Sequence, residues 1–331
     1  MATLEGKNIL FISPEFFGID KVIMRILREK GASVEWMNER SVTGSFARAM
    51  NSVNPAIFHK QSNRYYKRKI AQYSQMFDII FVIKGDMITK ETISLFREKY
   101  PNAQIVLYLY DPVVYIKGIT KTMHLYDRVI SFEPKDCKEY GFEFRPLFCD
   151  IASEDREIDE AESEMFDVCF YGTMYGDRFD IVHQIKQLSD KQGFRFYSFC
   201  FLRGKFMAVY YWLRNKAFRK MGLKSVSYTP KTTKEIATII RNSKIIMDAN
   251  DVLQEGLTLR TIETMVSGKR MITTNKAILD YDFYNPNNIC VVDRKNIVIP
   301  QEFLDGAYEK VPAEILERYT AEGWVNDVFL R

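Results

Sequence analysis

Apolar residues fall along this chain in short unbroken runs, each followed by a stretch with helical spacing. The segments NILFIS (8–13), FDIIFVI (77–83) and QIVLYLY (104–110) carry almost no polar interruption. A strand with one wet face would alternate, so such runs predict strands buried on both faces, as in a parallel sheet covered by helices. Residues 33–37 and 128–132 read as further strands, with helices over about 19–30 and 90–99. The rhythm stops near Asp150, at EDREIDEAESE (154–164), and then restarts. Strands are predicted at 166–171, 194–199, 244–248, 270–274 and 289–292, and helices at about 178–191, 234–242 and 258–267. Right-handed crossovers turn each half into a doubly wound, Rossmann-like unit. The expected organisation is an α/β chain with domains at 1–150 and 165–310, an acidic linker at 151–164, and a helical tail over 311–331. Ligands of such sheets lie at the carboxyl ends of the strands, so two facing halves would hold one ligand between them.

Length agrees with two cores, since 331 residues exceed what one hydrophobic core comfortably fills. Hydrophobic residues at 47% and charged residues at 27% exclude disorder. No apolar run nears the roughly 20 residues of a membrane span, and the start of the chain holds no signal-peptide pattern, so a cytoplasmic protein is expected. The five cysteines are scattered and form no CxxC pair, which reads as buried thiols rather than a metal or redox site. The net charge of +4 is unevenly spread. The stretches from His59 to Lys69 and from Arg203 to Lys224 are basic and aromatic and contain no acid, whereas residues 154–164 are strongly acidic. Either basic stretch suits an anionic lipid surface or nucleic acid phosphates, or is simply a solvated helix face.

Candidate chemistry concentrates in DANDVLQEGLTLRTIETMVSGKRMITTN (248–275), a strand, a loop, a helix and a strand. Gly256 permits close backbone approach, Leu257 follows it, and Thr258 is a helix N-cap. The unpaired N–H groups of a helix start suit a diphosphate, and Arg260 in the first turn can grip its oxygens. Glu263, one turn on, can accept the two hydroxyls of a ribose. A surface helix with solvated Arg and Glu is the plainer alternative. Gly172 and Thr173 close the strand in FYGTMYGDR, and Arg178 opens the next helix. In the first half, Asp111 and the Lys84–Gly85–Asp86 turn end strands. A carboxylate there can serve as a general base, with Asp111 first and Glu15, beside the Gly18 turn, second. Asp111 can equally cap the following helix. Lys84 is placed to counter negative charge. Asp280–Tyr281–Asp282 spells DxD but falls in a turn, three distant histidines offer no zinc spacing, and no GxGxxG follows the first strand, so neither metal nor nicotinamide is expected.

Glu255 and Glu263 bracket seven residues, EGLTLRTIE, and the continuation TMVSGKRMITTN completes a helix–strand pattern. This resembles the E-x7-E element of GT-B glycosyltransferases. With NILFISPEFFG, DIIFVIKGD, IVLYLYDPV, DVCFYGTMYGDR and YDFYNPNNI, the chain resembles bacterial capsule and lipopolysaccharide glycosyltransferases related to spore-coat glycosyltransferase-like proteins. The resemblance implies a GT-B fold of two Rossmann-like domains facing across a cleft, with the tail packing back on the first. It implies a metal-independent enzyme without a resident cofactor, using a UDP- or GDP-linked sugar as donor. Glu263 would bind the ribose, Glu255 would lie near the donor sugar, and Arg178 would contact phosphate. The acceptor would be a lipid-linked saccharide at the inner membrane face, which favours lipid over nucleic acid for the basic stretches. A nucleotide-sugar epimerase on the same fold and a non-catalytic nucleotide-sugar binder remain open.

Overall fold

The computed structural model describes residues 3–15, 18–40, 55–150 and 165–330; the acidic stretch 151–164 lies outside them. The chain divides into a first unit of residues 1–150 and 318–331 and a second of 151–317. The return to the first unit thus comes at Arg318 rather than at residue 311.

In the first unit the strands are β1 (Asn8–Ser13), β2 (Ser33–Asn38), β3 (Ile79–Ile83), β4 (Gln104–Leu109), β5 (Arg128–Ser131) and β6 (Glu143–Phe144). All pair in parallel, in the order β2-β1-β3-β4-β5-β6. The unbroken apolar runs are the buried central strands, with Ile9–Ile12, Ile80–Ile83 and Ile105–Leu109 all inside. Helices α1 (Ile19–Glu29), α2 (His59–Ala71), α3 (Lys90–Lys99) and α4 (Pro134–Tyr140) connect them. Gly18 starts α1 at φ +77°, a left-handed conformation that glycine adopts without steric cost.

The second unit holds β7 (Phe166–Thr173), β8 (Phe196–Phe201), β9 (Val226–Ser227), β10 (Ser243–Asp248), β11 (Arg270–Thr273) and β12 (Ile289–Val291). Their order, β12-β11-β10-β7-β8-β9, is again parallel throughout. Helices α5 (Arg178–Gln192), α6 (Lys205–Arg214), α7 (Lys216–Met221), α8 (Thr233–Arg241), α9 (Leu259–Val266), α10 (Gln301–Asp305) and α11 (Ala313–Arg318) follow, and α12 (Ala321–Phe329) belongs to the first unit. Strand β8 begins two residues later than its hydrophobic run predicts. Gly193 caps α5 in the left-handed conformation, and Arg195 is held by Asp167 through its own N–H at 2.8 Å and its guanidinium at 3.0 Å, so pairing starts only beyond it.

The two sheets are doubly wound in different ways. The first reverses direction between β1 and β3, and the second between β7 and β10. The connections leaving the carboxyl ends of the two neighbouring strands go to opposite faces of the sheet at such a reversal and leave a crevice, so these two points are where each unit can hold a ligand.

Candidate functional site

At the reversal in the second unit, β10 ends on Asp248, whose carboxylate is fully buried. It accepts hydrogen bonds from the hydroxyls of Thr258 and Thr261, each at 3.0 Å, and from Arg260 Nη1 at 3.2 Å. One carboxylate thus ties the first turn of α9 to the strand end. Thr258 is also the N-cap, accepting from Thr261 N–H at 3.2 Å. The preceding loop is held by side-chain amides: Asn275 Nδ2 donates to the Glu255 carbonyl at 2.9 Å, and Gln254 Nε2 donates to the Gly256 carbonyl at 2.8 Å. Gly256 and Leu257 are buried, and the Glu255 side chain is exposed.

Arg260 lies flat against the neighbouring strand, its guanidinium 4.6 Å from the Tyr171 ring centre. Its Nε is buried without a hydrogen-bond partner. Burial works to lower its pKa, but Tyr171, Asp248 and Glu263 raise it, so the group stays charged. Gly172 explains how the guanidinium fits: a Cβ there would sit 2.5 Å from Arg260 Nη2. Glu263 turns toward Tyr171, whose hydroxyl lies 3.4 Å from its carboxylate, and burial raises its pKa against the pull of Arg260.

Arg178 does more structural work than its sequence context predicts. Its Nη1 donates to the Thr173 carbonyl at 2.8 Å, while Nε and Nη2 both donate to the Ala249 carbonyl, at 3.0 and 2.5 Å. It also stacks on Tyr175 at 4.0 Å. The fork therefore clamps the ends of β7 and β10 together instead of standing open. Burial, and next the charge of Arg260, hold its pKa down to about 10. The two guanidiniums thus meet at Gly172, with the carboxylates of Asp248 and Glu263 acting on Arg260.

In the first unit, Lys84 has φ +80°, a conformation rare for a residue with a side chain, and turns its ammonium onto Asp111 at 3.0 Å. Burial opposes the charge on Lys84, but Asp111 and Asp86 raise its pKa. Asp111 caps nothing: the N–H of Val113, which opens the next turn, is taken by Asp136 at 2.7 Å. Glu15 is exposed beyond the end of β1. Sequence reasoning missed Glu39, fully buried just past β2. Its Oε1 accepts from Met87 N–H at 3.3 Å and its Oε2 has no hydrogen-bond partner. Burial, then the charge of Asp86, raise its pKa well above the usual glutamate value.

No protein-family model and no curated protein matches the chain. Solved structures do. A glycosyltransferase from Rickettsia africae ESF-5 superposes with a TM-score of 0.61 at 14% identity, over 97% of this chain and 96% of the other. The apo form of the lipopolysaccharide outer core galactosyltransferase WaaB gives 0.56 at 12% identity, over 98% and 99%. A UDP-N-acetylglucosamine 2-epimerase from Listeria monocytogenes, itself described as putative, gives 0.54 at 9% identity, over 97% and 94%. The fold is GT-B.

Within that fold, Gly172, Thr173, Arg178, Gly256, Leu257, Thr258, Arg260 and Glu263 gather around one reversal point, while Asp111 and Lys84 pair at the strand ends of the other unit. Asp248, Asn275 and Glu39 are the functional candidates that sequence reasoning passed over. Asp248 was visible only as the end of an apolar run. Asp280 and Asp282 are exposed, and among the described residues no group of three His, Cys, Asp or Glu side chains could hold a metal ion. Among the same residues no helix is long and apolar enough to cross a membrane.

Proposed function

We propose that this chain transfers a glycosyl unit from a nucleotide diphosphate sugar, UDP- or GDP-linked, to a saccharide acceptor. The supporting observation is the meeting of Arg178 and Arg260 at the β7–β10 reversal. Both converge on Gly172, the carboxylates of Asp248 and Glu263 act on Arg260, and Arg260 Nε has no hydrogen-bond partner. A guanidinium with a buried, unspent Nε favours an anion, and the N-terminus of α9 adds its dipole on the same side. The departing diphosphate would be stabilised by these groups, so transfer should persist in EDTA. Glu263 is the ribose acceptor in this reading and Glu255 lies toward the donor sugar. In the first unit, Asp111 takes the acceptor proton, held by Lys84, with Glu15 as the other carboxylate within the same set of strand ends. The acceptor is a lipid-linked saccharide of capsule or lipopolysaccharide assembly, met at the inner face of the cell membrane, as the work of a lipopolysaccharide galactosyltransferase of the same fold suggests.

Calorimetry with UDP and GDP tests the first step. Arg260→Ala should weaken the preferred nucleotide by about 1.5–3 kcal/mol, the worth of a charged hydrogen bond. Unchanged affinity in a folded variant would remove Arg260 from the site. A second reading, epimerisation of the donor, is favoured by the likeness to the epimerase structure. Incubation with UDP-sugars and no acceptor separates the two, since an epimerase interconverts the sugar and a transferase does not.

A further inference from the structure

Helix α6 has two apolar faces, and only one is covered. Ala208 is buried, and Met207, Tyr211 and Trp212 lean on the core of the second unit. On the opposite side Phe206 is 82% exposed, Val209 57%, Tyr210 40% and Leu213 72%. With 3.6 residues per turn these four share a sector of about 100°, the width of an ordinary buried stripe. Here that stripe points outward. Lys205 and Arg214 flank the sector on its two sides, Arg203 precedes the helix, and Lys216, Arg219, Lys220 and Lys224 follow; all seven are exposed.

We propose that this face of α6 docks on the surface of an anionic lipid bilayer. Phe206, Val209 and Leu213 enter the headgroup–acyl boundary, Tyr210 sits at the headgroups, and the flanking cations reach lipid phosphates while their stems cover the apolar rim. Charge decides against the other occupants. A second copy bound by the same face would set these cations against themselves across a two-fold axis. The acidic stretch 154–164 of the chain matches the charge, but Ile158 and Ala161 are its only aliphatic residues, too few to cover the sector. Helix α2, the other basic stretch, exposes His59, Lys60, Gln61, Arg64, Lys67 and Arg68, a polar face with no such sector.

The test is co-sedimentation of the full chain with vesicles of phosphatidylethanolamine and phosphatidylglycerol, against vesicles of phosphatidylcholine alone. The anionic vesicles should bind better by roughly tenfold or more, and added salt should weaken binding. The double variant Phe206→Ser, Leu213→Ser should lose roughly tenfold of the remaining affinity, because its apolar insertion is gone. Its circular dichroism should match wild type, as both side chains are exposed. Equal binding to both lipid compositions would overturn the proposal. So would undiminished binding of the double variant, or a dimer in sedimentation velocity that the variant dissociates. The inference is independent of the catalytic reading: vesicle binding without sugar transfer keeps this one and discards the other, and transfer without vesicle binding does the reverse.

Discussion

A side chain of any size at position 172 would meet the guanidinium of Arg260. The collision of a Cβ with Nη2, at 2.5 Å, cannot be relieved by a flexible tip, because that guanidinium is already fixed by Asp248 and the Tyr171 ring. Gly172→Ala should therefore displace Arg260 and lower nucleotide affinity by about 10- to 100-fold, the span of one charged hydrogen bond. Calorimetry with UDP or GDP measures it, and a variant that folds and binds like wild type would show that Arg260 needs no room there. Glu39 gives a prediction about pH. Its folded pKa is raised well above 4.5 by burial and by Asp86, while the unfolded chain ionises near 4.5. Above that value the unfolded state has released the proton and the folded state still holds it. Stability is therefore full below the unfolded pKa and falls as pH rises toward the folded one, by up to about 1.4 kcal/mol per pH unit. Glu39→Gln keeps the acceptor for Met87 N–H and cannot ionise, so urea titrations from pH 4 upward should show a flatter profile for the variant. Parallel profiles would mean that Glu39 is ionised in the fold.

Helix α9 shows which elements could be read in advance. Its start is written locally, in Gly256, Thr258 and Arg260, because capping and first-turn chemistry depend on residues a few positions apart. What those residues do together was not legible, since it depends on Asp248 and Gly172, and the neighbouring of β7 and β10 is a matter of strand order rather than spacing. The same limit hid Glu39, whose environment comes from the turn after β3, and it hid the carbonyl partners of Arg178, which lie at two separate strand ends. The apolar runs placed the central strands well because a parallel sheet demands them. The α6 stretch was legible as basic and aromatic, but which of its apolar residues face outward depends on where the core lies. For α9, Thr258→Ala removes both the cap and one donor to Asp248. The expected loss is about 1–2 kcal/mol in urea unfolding, and Thr258→Ser should recover most of it. A loss confined to a few tenths, with serine no better than alanine, would mean that packing alone holds the helix start.

Across the whole molecule, the chain leaves the first unit at Asp150, builds the second, and returns to place α12 on the first. What fixes that return is burial more than charge. Trp324 is fully buried, with its ring centre 4.9 Å from Tyr108, 4.9 Å from Phe148 and 6.0 Å from Phe81, two of these on central strands of the first sheet. Around this anchor lie Arg145 with Asp327 at 2.9 Å, Arg128 with the Val328 carbonyl at 2.9 Å, and Lys30 with Glu322 at 3.0 Å. Glu322 is mostly exposed, so Glu322→Gln should change stability by less than about 1 kcal/mol. Trp324→Ala leaves a cavity the size of an indole among rigid rings and should cost about 3–5 kcal/mol. For a unit of this size that lowers the melting temperature by roughly 10 °C. Every anchoring contact named here lies in the first unit, whereas the proposed nucleotide site lies in the second. In scanning calorimetry, saturating nucleotide should therefore raise one transition by mass action, and Trp324→Ala should lower a different one. If both perturbations move a single shared transition, the two units unfold together, and α12 stabilises the molecule as a whole rather than the sheet it packs on.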